Sequence, residues 1–367
     1  MDKPSDPVVV ESGPVHEEVH VGAELETVGL SMLPAPVEEP GFSGDTRVTG
    51  PFITEDSASG VRNVGMYSGH FRPPNRLLAG IGPSHHAMLY HYPSAKRRRE
   101  SLPVAIVLGA LPDINYVAAA NLPYGLDELS IAGGIRQRPV ELVRCKTVPL
   151  EVPAEAEIVI EGEISTEDLE AEQPFSDFPG YLMVERHRRP VVKVTAITHR
   201  RNAMLTSILV GLPPSESNGI SRSCREMILY SFLRYSCNLP EVLEVCCPEM
   251  GGGWNWWVIR MRKSHPSKPW QALQAASGRD PANKVIIVVD EDIDPKDPDM
   301  VIWAMSFAMQ PHRDTRVITG RVPLLDPSAY SLISKPEERS YPPPHGCSGI
   351  LIDATRIRLR SDVPVGA

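Results

Sequence analysis

Arg62-Asn63-Val64-Gly65-Met66-Tyr67-Ser68 reads as a strand that carries an amide side chain beside a glycine. Far along the chain, Val159-Ile160-Glu161-Gly162 ends a strongly alternating strand on one carboxylate. Between them, Pro83-Ser84-His85-His86 offers an imidazole. Amide, imidazole and carboxylate form a mixed nitrogen and oxygen donor set suited to Mn²⁺ or Mg²⁺, with a phosphate as a further ligand. Spacing alone does not separate this from a blander account. In that account Asn63 caps a turn, His86 lies on a helix surface and Glu161 is a solvated strand end.

Working outward, 48–214 is dominated by strand patterns. Val104-Ala105-Ile106-Val107-Leu108-Gly109 is a continuous apolar run, and 140–143, 156–162 and 191–197 alternate as half-buried strands do. Helical signals are few there, at 83–92 and 125–133. Many strands with short helical insertions predict a closed or split barrel. The period then changes: 221–237 reads as an amphipathic helix. After it, strand and helix patterns alternate (strands at 254–261, 284–290 and 314–318; helices at 270–277 and 297–309), which predicts a small open α/β sheet. The expected organisation is an extended N-terminal segment over 1–44, in which 16–21 could be an edge strand, a barrel domain over 45–220 and a connecting helix over 221–240. An α/β domain over 241–340 and a C-terminal tail over 341–367 complete it.

A net charge of −9 and a pI near 5.7 argue against a nucleic-acid partner, which usually selects a basic face. Lys96-Arg97-Arg98-Arg99 is a local exception and reads as a solvated loop. No apolar run has the length of a membrane span, and the N-terminus lacks the apolar core of a signal peptide, so a cytoplasmic protein without membrane contact is expected. The six cysteines lack C-x-x-C pairing and read as reduced thiols.

The wording of several stretches resembles the UbiD family of prenylated-flavin-dependent decarboxylases. The likeness is carried by Asn63-Val64-Gly65-Met66-Tyr67, Pro103 to Gly109, Pro139-Val140-Glu141-Leu142-Val143 and Val152 to Gly162. It continues through Val194 to Arg200, Gly211-Leu212-Pro213-Pro214-Ser215-Glu216, Val288 to Asp294 and Ile352-Asp353-Ala354-Thr355. The resemblance implies an α+β fold: a flavin-reductase-like split β-barrel followed by a small α/β dimerisation domain. It implies reversible, non-oxidative decarboxylation of an aromatic or α,β-unsaturated carboxylic acid, or of its CoA thioester, using prenylated FMN, Mn²⁺ or Mg²⁺, and K⁺. By the same likeness Asn63, His86 and Glu161 would hold the metal, with His86 favoured over His85. Gly65, Met66, Tyr67, Ser84 and His85 would line the cofactor, and a flavin prenyltransferase would supply it. Glu216 would be the active-site acid, with Glu226 as a second candidate. The expected assembly is a homodimer or higher oligomer, or a hetero-oligomer with sister subunits.

Departures from the family pattern are part of the reading. Much of the usual N-terminal α/β domain and C-terminal helix is absent. Where the family carries an arginine that clamps the substrate carboxylate, this chain has Ser68, and a hydroxyl replaces neither the charge nor the fork of a guanidinium. His70 and Arg72 are the nearby candidates to substitute. Where the family has a lysine near the flavin phosphate, Gly349 stands instead. A substrate held by another handle, a subunit completed by a sister chain, and a non-catalytic binding component all remain open. Trp254, Trp256 and Trp257 read as core and interface aromatics, and Asp290 to Asp294 as a solvated turn.

Overall fold

The computed structural model describes residues 3–38, 45–82, 85–183, 188–280, 282–321, 326–329 and 347–356. They form two compact units whose boundary runs through 211–221. The first contains β1 (Val8–Val9), β2 (Glu18–Val21), α1 (Ala23–Thr27), β3 (Arg47–Asp56), β4 (Val61–Arg72) and β5 (Arg76–Gly80). A π-helical turn (Ala87–His91) runs into α2 (Tyr92–Arg98), followed by β6 (Leu102–Leu108), α3 (Pro112–Ala119) and α4 (Glu128–Arg136). Then come β7 (Glu141–Arg144), β8 (Glu151–Pro153), β9 (Ile158–Ala171), the short β10 (Phe175–Ser176) and β11 (Leu182–Met183), and β12 (Arg188–His199).

Six antiparallel strands in the order β12-β5-β4-β3-β6-β9 close into a barrel because β12 also pairs with β9. The apolar run in β6 reflects burial on both faces. Leu102, Val104, Ile106 and Leu108 point into the barrel with Phe52, Tyr67, Phe71, Ile158 and Ile160. Ala105 and Val107 face outward with Ile53, Val64 and Val159, under a layer made by α3, α4, β7 and β8. Each fully buried Ile or Leu contributes about 1.5–3 kcal/mol. Truncating Ile106 to Ala would leave a cavity costing about 2–5 kcal/mol.

The N-terminal segment is not a linker. β5 covers only Val191–Lys193 of β12, and β2 fills the rest of that edge, pairing Val21 with Ala196 and Glu18 with His199. β1 runs parallel to β7. Val15 is buried in the outer layer, while Leu25 and Leu30 join the barrel interior. Their irregular spacing hides this from a periodicity argument.

α5 (Glu216–Ser231), which belongs to the second unit from Ser221 on, leads through a π turn (Phe232–Ser236) to β13 (Val242–Cys246), β14 (Trp256–Met261) and α6 (Lys268–Arg279). β15 (Val285–Val289), α7 (Pro298–Phe307), α8 (Pro311–Asp314), β16 (Thr315–Thr319) and β17 (Ser348–Ala354) follow. The sheet order is β13-β14-β15-β17-β16, with β14, β15 and β17 parallel and an antiparallel strand at each edge. Its faces are covered by α6 with Leu229 and Leu233 on one side and by Val301 and Ala304 of α7 on the other. Burial on both sides is why β15 reads Val-Ile-Ile-Val-Val.

The supposed C-terminal tail contains β17, an interior strand of this sheet. Trp257 is buried and its Nε1 donates to the Trp254 carbonyl at 2.7 Å, as a core aromatic requires. The six cysteines are free thiols. Among the described residues no helix is long and apolar enough to cross a membrane.

Candidate functional site

The site grows from an unpaired edge. β4 pairs with β3 along its whole length, but β5 covers only Ser68–Arg72, so 61–67 presents a free edge where the barrel splits. α4 begins against this edge. Asp127 caps it by accepting from the Leu129 N–H at 3.0 Å, and Arg62 Nη2 reaches Asp127 Oδ2 at 2.7 Å. The next residue, Glu128, accepts the Val64 N–H at 3.1 Å. Glu128 is buried, and that burial raises its carboxyl to about 7; the Val64 N–H and Arg62 oppose the rise, while Asp127 adds to it.

Beside Val64, Asn63 donates through Nδ2 to Tyr67 Oη at 3.3 Å. The Tyr67 ring end lies over Gly65, where any Cβ would collide with it, so the glycine makes room for the tyrosine. Burial pushes Tyr67 up to about 12, and the charge of Glu128 adds to the effect. The His85 ring stands 4.9 Å from Tyr67, and its Nδ1 accepts the Gly82 N–H at 2.9 Å. His86 opens the π turn and packs against Tyr90 and Tyr124, at ring distances of 5.7 and 5.6 Å. Burial lowers its pKa, favouring the neutral imidazole that ligates metals.

The π turn also delivers His91, fully buried, whose Nδ1 lies 3.0 Å from Thr54 Oγ1 while Nε2 has no hydrogen-bond partner among the described residues. Thr54 is the cross-strand partner of Asn63. Asn63, Tyr67 and Glu128 thus share the β4 edge. His86 is held between Tyr90 and Tyr124, the latter on the segment leading into α4.

Glu161 is not among them. Asn63 lies in a cross-strand row with Thr54, Val104 and Gly162; Glu161 lies in the adjacent row, with Ala105, Ile53 and Val64. Adjacent rows face opposite sides of a sheet, so Glu161 points outward, away from Asn63. Its carboxylate is saturated by the N–H groups of Lys146 at 2.8 Å and Thr147 at 2.7 Å and by Thr147 Oγ1 at 2.8 Å. It fastens the turn between β7 and β8.

Other expectations are also redistributed. Ser84 lies outside the described residues. Met66 packs against the outer layer. Ser68 Oγ sits 3.0 Å from Thr49 Oγ1. Glu216 is exposed at the start of α5 and accepts from the Leu209 N–H at 3.3 Å. Glu226 accepts the Cys247 N–H at 2.8 Å within the second unit, a structural contact.

Neither proposed substitute for the cation missing at position 68 is available. His70 is buried, and desolvation followed by the charges of Arg47, Arg189 and Arg72 drives it down to about 3, so it is neutral. Arg72 is held by Asp45 and Glu170.

Sequence reasoning missed Glu128 and a second buried acid, Glu172, which pairs with Arg189 Nε at 2.9 Å and whose Oε1 has no hydrogen-bond partner among the described residues. The Asp-Glu pair opening a helix was a visible signal for Glu128. For Glu172, inside Ala171-Glu172-Gln173-Pro174, no such signal exists. Among the described residues no three His, Cys, Asp or Glu side chains converge as a cation cage. The set on the β4 edge contains two residues of those types and an amide. As a donor set, an amide oxygen, a neutral imidazole and a buried carboxylate fit a divalent cation.

Residues 8–213 match the 3-octaprenyl-4-hydroxybenzoate carboxy-lyase Rift-related domain and 220–354 the C-terminal domain of the same carboxy-lyase. The chain belongs to the UbiD family. An uncharacterized protein of Aquifex aeolicus (strain VF5) is 36% identical over 324 residues, covering 87% of this chain and 65% of that protein. The chain therefore spans somewhat under two thirds of that relative's length. Among solved structures, an evolved dimeric form of the UbiD-class enzyme HmfF from Pelotomaculum thermopropionicum, in complex with prFMN, superposes with a TM-score of 0.81 at 31% identity. It covers 99% of this chain and 77% of that one. Apo 3,4-dihydroxybenzoic acid decarboxylase (AroY) of Klebsiella pneumoniae gives 0.81 at 27% identity over 99% and 78%.

Proposed function

We propose that the chain is a reversible, non-oxidative decarboxylase of an aromatic or α,β-unsaturated carboxylic acid that uses prenylated FMN and a divalent cation, Mn²⁺ or Mg²⁺. The observation that carries this is the buried Glu128 carboxyl, raised to about 7, at the free β4 edge beside Asn63. When bound, the flavin supplies an electron sink for the pair left by departing CO₂. Asn63, His86 and Glu128 would hold the cation, which turns the repulsion between a carboxylate and the cofactor phosphate into attraction. The side of 61–67 that no described strand covers would offer backbone groups to the ring system, with Tyr67, Tyr90 and Tyr124 as aromatic surfaces nearby. Glu216 remains the candidate to return a proton to carbon, provided that something dries its surroundings.

That exposure favours one further reading, a subunit whose site is completed by another copy or by a sister chain. The test is to co-produce the protein with a flavin prenyltransferase. Retained flavin absorbance with one Mn²⁺ per chain is expected. A colourless, metal-free protein that stays so overturns the enzyme reading, and one that gains colour only with a second chain selects the subunit.

A further inference from the structure

Two histidines join the N-terminal segment to the barrel. β2 pairs Glu18 with His199 and His20 with Ile197, so His20 and His199 are diagonal neighbours on one face of the ladder. Their Nε2 atoms lie 2.9 Å apart. The ring centroids are 5.1 Å apart and the ring planes 13° from parallel. That separation is close to the most that such a nitrogen contact permits, so the rings meet edge to edge, Nε2 facing Nε2.

The other ring nitrogens decide the protonation. His199 Nδ1 lies 2.6 Å from the Arg200 carbonyl oxygen, which can only accept, so this nitrogen carries a hydrogen. His20 Nδ1 lies 2.6 Å from Glu24 Oε1, and a carboxylate likewise only accepts. A neutral imidazole with its hydrogen on Nδ1 bears a bare lone pair at Nε2. Two neutral rings would press two lone pairs together, and two imidazolium rings two N–H groups and two positive charges. The contact attracts when one proton lies between the two nitrogens, as a charge-assisted N–H···N hydrogen bond. The flanking charges have partners of their own: Glu18 meets Arg201 Nε at 3.3 Å, Glu17 accepts the Arg201 N–H at 2.8 Å, and Arg200 Nε lies 3.5 Å from Glu157 Oε1. The pair holds more than a strand in place. α1 follows β2 at once, and its Leu25, with Leu30 beyond it, lies in the same apolar cluster as Tyr67 inside the barrel.

We infer that His20 and His199 form a one-proton latch that fastens β2 to β12 and is weakened both by removing that proton and by adding a second. Its signature is a strand held most firmly at an intermediate pH. His16, on the turn before β2, is another titratable group of this segment. Burial, with the charge of Lys146, lowers its pKa, so its contribution to stability is lost only as pH falls. A loss on the alkaline side is therefore the mark of the shared proton.

The experiment follows hydrogen–deuterium exchange of the β2 amides in the full chain from about pH 5 to about pH 9, as protection factors corrected for the intrinsic pH dependence of exchange. Wild-type protection should peak within that range and fall about tenfold on each side. His20→Gln and His199→Gln should each abolish the alkaline fall, and His16→Gln should keep it. A wild-type profile without an alkaline fall, a fall that persists in both variants, or β6 amides that follow the same curve overturns the inference. ¹⁵N NMR of histidine-labelled wild type reads the proton without any substitution. Both rings should carry a hydrogen on Nδ1, with a single proton shared by the two Nε2 atoms. A ring whose Nδ1 is bare at the pH of greatest protection overturns the latch as well.

Discussion

Glu161 and Glu128 are both buried carboxyls of the barrel unit, yet they do opposite things. Glu161 is completely buried and receives three hydrogen bonds, two from backbone N–H groups and one from a threonine hydroxyl. Glu128 receives two, from its own N–H and from that of Val64, and is still pushed up to about 7 by its burial. A buried anion with its lone pairs filled is a fastener. One that lacks such donors holds a proton until a cation replaces it. Counting donors separates structure from site where residue type does not.

The largest effect expected from this contrast falls on the fastener. Glu161→Ala removes the buried acceptor of two backbone N–H groups and the Thr147 hydroxyl and should cost about 1–3 kcal/mol, seen as a fall in urea midpoint. Normal stability in that variant would remove the contrast. Glu128→Gln should leave the fold intact but reduce Mn²⁺ affinity about a hundredfold and empty the protein of flavin, by metal analysis and absorbance. A loaded Glu128→Gln protein would refute the metal assignment.

The contrast also has a pH signature. Because Mn²⁺ must displace a proton from a carboxyl titrating near 7, its affinity should climb as pH rises toward 7 and level off above. Glu128→Gln should abolish that slope in a titration series. The smallest effect concerns His70, held neutral down to about 3 against an ordinary 6.5. The unfolded chain takes up a proton below 6.5 that the folded chain refuses, so stability is lost as pH falls from 6.5 toward 3. Between pH 7 and 5 the loss should be about 1–2 kcal/mol by urea titration, and His70→Gln should remove it.

Strand and helix types were legible because barrel interiors and two-sided sheets impose strong patterns. Val104 to Leu108 and Val285 to Val289 announce themselves. Asn63, Gly65 and Tyr67 were legible as a group because they lie within one strand. Glu161 was misplaced because its facing depends on register between strands separated by a hundred residues of other structure, which no local pattern encodes. So was β17, whose apolar residues were visible but whose place between β15 and β16 was not.

That placement of β17 has a consequence for synthesis. The ribosome delivers β13, β14, β15 and β16 first, and until Ser348–Ala354 emerges, β15 and β16 have no partner between them. The nascent second unit therefore waits with an apolar strand edge uncovered until this interior strand follows its two neighbours out.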